Sequence, residues 1–203
     1  MKKIFILLNL MVILSGIGIA SASAGVETNS PAPEFSLVDS KGEMHSLSEY
    51  KGKYIVLEWV NYDCPFVKKH YGQGNMQSLQ KELTRESAVW LSINSSAKGN
   101  QGAYSANEVN KIMKENGAVP TAYLFDADGM VGKTYGAKTT PHMFLINPEG
   151  NVIYQGAIDS IPSFDPADIG KSENYVKKAL SEAKSGQVVS NPTTQAYGCS
   201  VKY

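Results

Sequence analysis

The sequence predicts an α/β fold: a central β-sheet of mixed direction flanked by helices, with a hairpin extension at its N-terminus. Three observations carry this. Short apolar runs at 54–60, 88–94 and 122–125 alternate with stretches of helical periodicity, the order of βαβ units with parallel strands. A fourth run, 143–146, leads through Asn147-Pro148-Glu149-Gly150 into 151–157, and that turn makes an antiparallel hairpin. An amphipathic stretch at 172–184 closes the fold with a helix.

Element by element, Pro31-Ala32-Pro33-Glu34-Phe35-Ser36-Leu37 reads as an extended entry strand, Ser40-Lys41-Gly42 as a turn and 44–47 as the returning strand. Ser46 or Ser48 suits the cap of a short helical turn ending near Gly52. The buried strand 54–60 follows, then a helix from Cys64 towards Glu86 with Phe66, Met76, Leu79 and Leu83 on one side. Gly72 and Gly74 interrupt it, which predicts a kink or a break. After the strand at 88–94 and a polar loop at 95–103, Ser105 caps a helix that Gly117 ends in a left-handed conformation. A strand at 122–125, a short helix at 129–135 and the hairpin complete the order. Residues 185–203 form a polar tail with Pro192, Gly198 and Cys199.

Met1-Lys2-Lys3, the uncharged apolar segment 4–20 and Ala22-Ser23-Ala24 read as a cleavable signal peptide over residues 1–24. A periplasmic or secreted protein follows from it, with no membrane attachment after cleavage. The remainder, about 180 residues, suits a single domain over 25–184 plus the tail at 185–203. Nineteen basic residues balance nineteen acidic ones. No basic stripe stands out, so neither nucleic acid nor an anionic membrane surface is expected as partner. Small substrates or protein thiols remain. An oxidising compartment lets a disulfide persist, but two cysteines do not make a disulfide scaffold.

Cys64 and Pro65 directly follow the apolar run at 54–60, at the point where a strand ends and a helix begins. Backbone N–H groups at a helix start stabilise a thiolate, and proline suits the first helical position. Cys64 is therefore the candidate nucleophile. Asp63 opposes the anion, Lys68 offsets part of that, and Lys69 and His70 read as solvated helix positions. Val67 stands where a Cys-x-x-Cys motif has its second sulfur. The only other cysteine is Cys199, so disulfide chemistry within one chain must join Cys64 to the tail. About 15 residues precede Cys199 in the tail, so reach does not limit that pairing. Cys199 is a resolving thiol, a static disulfide partner or a spectator on a mobile segment.

The strand leading into Asn61-Tyr62-Asp63-Cys64-Pro65, the segment Thr139-Thr140-Pro141-His142-Met143-Phe144, the hairpin 147–154 and the entry segment 31–37 together resemble the thioredoxin-like superfamily. The similarity is to its secreted redoxin branch, allied to the alkyl hydroperoxide reductase and thiol-specific antioxidant proteins, which include the peroxiredoxins. The resemblance implies a thioredoxin-like fold with a cis proline at Pro141 packed near Cys64. Pro65, Thr140 and Pro141 would then form the substrate-contacting rim. It also implies a buried acid at Glu58, six residues before Cys64, able to relay a proton; strand alternation alone allows Glu58 to face solvent instead. Where a peroxiredoxin places Pro and Thr, seven and three residues before its cysteine, this chain has Leu57 and Asn61.

The leading expectation is a thiol-dependent oxidoreductase with antioxidant activity. Cys64 would attack a peroxide or a protein disulfide, Cys199 would resolve the product, and an external thiol reductant would reset the pair. No cofactor and no resident metal are called for. Two other classes remain open: a copper carrier using Cys64 with His142 or His70 and Cys199, and a redox-inactive binding module.

Overall fold

The computed structural model describes residues 25–203, and the leader expected at 1–24 lies outside them. In chain order the elements are β1 (Ser36–Asp39), β2 (Met44–Ser46), β3 (Ile55–Trp59), α1 (Pro65–Gly72), α2 (Asn75–Arg85), β4 (Val89–Asn94) and α3 (Ala106–Asn116). They continue with β5 (Ala122–Phe125), α4 (Met130–Tyr135), β6 (Thr139–Thr140), β7 (His142–Ile146), β8 (Val152–Gly156), α5 (Tyr175–Lys184) and β9 (Cys199–Ser200).

Seven strands form one sheet in the order β2-β1-β5-β4-β3-β7-β8. β3, β4 and β5 run parallel, while β1 and β7 join antiparallel on either side. The mixed direction expected from the sequence is thus present. Every residue of β3, β4 and β7 is buried, as strands covered on both faces require.

Alternation along β3 divides the core in two. Val56 and Val60 face a layer built from Val67 and Tyr71 of α1, Met76, Leu79 and Leu83 of α2, Val109 of α3 and Val176 and Leu180 of α5. Ile55, Leu57 and Trp59 face Phe35, Leu47, Tyr135, Phe144 and Ile146. Each fully buried large aliphatic or aromatic side chain contributes about 1.5–3 kcal/mol, so these layers hold the sheet without a cross-link. Both cysteines are free thiols.

Local punctuation acts where the sequence places it. Gly74 sits at φ +69° between α1 and α2, so the expected interruption is a full break. Ser105 and Glu108 cap α3 reciprocally, and Gly117 ends it at φ +65°. Ser46 and Glu49 make a second such box before a short 3-10 helix, Leu47–Tyr50.

Other boundaries move. The entry segment becomes a strand only from Ser36, with Pro31 making an isolated bridge to Asn151. Residues Pro166–Lys171 form a 3-10 helix absent from the sequence reading, capped by Asp165. The closing helix starts at Tyr175 rather than Ser172, because the Asn174 side chain accepts from the Lys177 N–H. No helix among the described residues is long and apolar enough to cross a membrane.

Candidate active site

Cys64 caps α1 from an extended backbone, φ −70° and ψ 127°, with Pro65 in the first turn. Its carbonyl accepts the Lys68 N–H at 2.9 Å, and its own N–H donates to the Asn61 carbonyl at 3.0 Å. The thiol is completely buried. It donates to the Thr140 carbonyl at 3.0 Å, and the backbone N–H of Cys199 donates to its sulfur at 3.4 Å. The Thr140–Pro141 peptide bond is cis, as the resemblance implies. Cys64, Thr140, Pro141 and Cys199 are therefore gathered at one point, at the start of α1 beside Pro65.

The tail is not the mobile segment expected from its polar composition. β9 pairs antiparallel with β6, setting Cys199 opposite Thr140 and Ser200 opposite Thr139. Upstream, the Gln155 N–H donates to the Pro192 carbonyl and the Thr194 N–H to the Gln155 carbonyl. Downstream, Val201 donates to the Lys138 carbonyl, Lys202 accepts from Ala97, and the Tyr203 hydroxyl donates to the Ala137 carbonyl at 2.8 Å. Gly198, at φ +140°, permits the closest approach, since a Cβ there would overlap the Thr140 carbonyl. Backbone pairing thus seats a sequence that has too little apolar surface to bury itself.

Burial, and then the neighbouring Cys64, push the Cys199 thiol up from 9.0 to about 11. It is protonated at neutral pH in this arrangement.

Lys69 and His70 are buried, not solvated. The cause is Asp159, itself buried at the end of the segment that follows β8. The Lys69 Nζ lies 3.6 Å and the His70 Nε2 3.9 Å from its carboxylate. Ser172 Oγ donates to Asp159 Oδ2 at 3.0 Å, and the Tyr197 hydroxyl donates to Oδ1. Burial depresses the His70 imidazole to about 4 against the opposing pull of Asp159, so the ring is neutral there. Its Nδ1 meets the Asn75 side chain at 2.7 Å. Tyr197 also packs edge-on against Phe66 at 5.8 Å and lies under the Lys69 ammonium. No sequence pattern marked Asp159 or Tyr197 as parts of the site.

Glu58 is fully buried on the α1–α2 face of β3, which settles the alternative left open by strand alternation. Its carboxylate accepts from Tyr71 Oη at 3.0 Å, Trp90 Nε1 at 2.8 Å and Ser92 Oγ at 2.9 Å. None of these bonds goes to Cys64. Desolvation outweighs the donors and raises the carboxyl from 4.5 to about 7. Ser92 joins the site through the parallel register, which places it directly beside Glu58; no sequence pattern marked it.

The histidines are not brought to the thiols as a metal centre would need. His142 packs on Phe144 at 4.7 Å, within the layer opposite Cys64. Its Nδ1 accepts the Lys138 N–H, and burial holds the ring near 4. His70 is engaged by Asn75 and Asp159. Among the described residues, the ligand atoms that cluster are those of Asp39, Glu43 and His45 on the β1–β2 hairpin, so the set on which the copper-carrier reading draws does not assemble. The two positions where a peroxiredoxin has Pro and Thr are also occupied otherwise. Leu57 points into the opposite layer, and the Asn61 carboxamide accepts from the Asp63 N–H at 2.9 Å and Tyr104 Oη at 3.1 Å.

The chain is 30% identical over 128 residues to thiol-disulfide oxidoreductase ResA of Bacillus subtilis, a match spanning 63% of this chain and just under two thirds, 66%, of that relative. A hypothetical protein from Sinorhizobium meliloti 1021 superposes with a TM-score of 0.74 at 23% identity, over 88% of this chain and 96% of that one. A putative thiol:disulfide interchange protein DsbE from Chlorobium tepidum gives a TM-score of 0.53 at 23% identity, over 64% and 85%. These two structures share the fold. Residues 28–155 match the AhpC/TSA family over more than half of the chain, through β3, Cys64, the cis proline and the hairpin, and the chain belongs to that family on a thioredoxin-like fold.

Proposed function

We propose that this protein is an exported thiol-based oxidoreductase in which Cys64 is the nucleophile and Cys199 the resolving thiol. The observation that supports it most directly is the meeting of the only two cysteines of the chain at the start of α1, where the Cys199 N–H points at the Cys64 sulfur. The likeness to a relative named as a thiol-disulfide oxidoreductase favours a protein disulfide as substrate.

In that reaction the Cys64 thiolate attacks one sulfur of the substrate disulfide, and the other leaves as a thiolate. The Cys199 thiol, once deprotonated, attacks the Cys64 sulfur of the mixed disulfide. The second substrate thiolate departs, leaving a Cys64–Cys199 disulfide. Two electrons have passed to the substrate, and an external thiol reductant returns them. Thr140 and Pro141 line the approach, and Thr140 offers its backbone to an extended substrate segment when β9 lifts away. Glu58, at about 7, supplies a carboxyl that exchanges a proton near neutrality on the same sheet face.

Peroxide is the second reading, favoured by the complete burial of Cys64 with the tail seated, which suits a small oxidant. The Cys64 thiolate would attack one peroxide oxygen to give a sulfenic acid and, with one proton, an alcohol or water. The Cys199 thiol would then condense with it to a disulfide and water. Treating the reduced protein separately with hydrogen peroxide and with a disulfide-bonded peptide, followed by non-reducing peptide mapping, tests both. A Cys64–Cys199 bond is expected after at least one treatment, and trapped Cys64 adducts in Cys199→Ser. Two free thiols after both treatments would refute the proposal.

A further inference from the structure

Backbone bonds anchor the tail at 192–194 and again at 201–202, but over the cysteine itself only two residues pair, β6 with β9, a weak seat by themselves. Among the tail side chains that bond the domain, the one nearest the thiols reaches a buried charge. Tyr197, two residues before Cys199, sends its hydroxyl into the buried carboxylate of Asp159. That carboxylate is held by the Lys69 ammonium at 3.6 Å, by Ser172 Oγ at 3.0 Å and by the Ile161 N–H at 3.2 Å. Lys69 belongs to α1, the helix that Cys64 caps, and its side chain is wholly excluded from solvent. The start of α1 and the tail are thereby tied to the same buried charge.

We infer that Tyr197 is a positioning residue: hooked on Asp159, it fixes β9 over Cys64 and sets the effective concentration of the Cys199 thiol at the Cys64 sulfur. The inference rests on the exchange proposed above where it concerns Cys199, but the seating of the strand is independent of it. A hydroxyl that donates to a buried carboxylate forms a charge-assisted bond, stronger than a neutral pair. The ring adds edge-on packing against Phe66. With the hook engaged, Cys199 stays within reach of Cys64 and a large substrate is kept out. Once the hook releases, Gly198 at φ +140° leaves the strand a flexible joint.

Tyr197→Phe removes the hydroxyl and keeps the ring, so the protein should melt cooperatively near the parent temperature. Two measurements separate the hook from the chemistry. In the Cys199→Ser background, alkylation of Cys64 by iodoacetamide reports only whether the strand covers it. Adding Tyr197→Phe should accelerate alkylation about tenfold or more, the weight of one hydrogen bond to a charged group. In the protein with both cysteines, the equilibrium between the dithiol and the Cys64–Cys199 disulfide in glutathione buffers gives the effective concentration. Tyr197→Phe should lower it by a similar factor. Alkylation and equilibrium both within twofold of the parent would overturn the inference. Faster alkylation in a protein that forms no Cys64–Cys199 bond would uphold the hook and remove Cys199 as the resolving thiol. A disulfide equilibrium that stays unchanged while alkylation rises would overturn the positioning role.

Discussion

Replacing Glu58 by Gln should change how stability depends on pH, in a direction the buried site dictates. Glu58 has no exposed surface, and its carboxyl is raised from 4.5 to about 7, first by desolvation. A folded value above the unfolded one means that the native state binds the proton more tightly. The stabilising contribution of the protonated acid is then fully present below pH 4.5 and is lost as pH rises through about 7. At about 1.4 kcal/mol per pH unit, that interval amounts to about 3 kcal/mol. Gln mimics the protonated acid: it keeps an acceptor for Trp90 and Ser92 and offers a donor to Tyr71 Oη, but it does not titrate. Urea unfolding of both proteins between pH 4 and 9, followed by tryptophan fluorescence, gives the difference curve, in which other titrating groups cancel. Wild type minus Glu58→Gln should be flat below pH 4.5, fall by about 3 kcal/mol up to pH 7, and level off above. A flat difference would show that Glu58 does not carry the shift. A rising one would show that the Tyr71, Trp90 and Ser92 donors outweigh burial and stabilise the anion.

Once β9 has reseated over oxidised Cys64, closure of the Cys64–Cys199 disulfide should accelerate about tenfold per pH unit between pH 7 and 9, because burial is the leading cause of the raised Cys199 value near 11. Acid quenching and peptide mapping give the rate, and a plateau below pH 8.5 would contradict the assignment. Asp159→Asn should leave the Lys69 ammonium buried without its counter-charge and destabilise the protein by about 3–5 kcal/mol, read from denaturant midpoints; a loss under 1 kcal/mol would mean that Lys69 escapes to water. Gly198→Ala should place a Cβ against the Thr140 carbonyl at a strained φ, costing about 1–3 kcal/mol. The same variant should unseat β9, with faster alkylation of Cys64 as the check, and unchanged protection would show that the strand tolerates the side chain.

The order of strands and helices, the break at Gly74, the capping of α3 and the place of Cys64 at a helix start were legible from the sequence, because each depends on residues within one or two turns of one another. Apolar periodicity decides which run is buried, and glycine, proline and serine decide where a helix starts or stops. The cis bond before Pro141 came from resemblance rather than pattern. What only the tertiary structure decided is the company these residues keep. Cys199 meets Cys64 across 135 positions, and Asp159 draws in Lys69 and His70 from α1 and Tyr197 from the tail. Lys69 and His70 look like solvated helix positions until a buried counter-charge arrives from elsewhere. A polar tail looks mobile until its backbone finds an unpaired strand edge. The physical reason is the same in each case: a polar group reads as exposed by composition, and only a partner supplied by the fold can make its burial affordable.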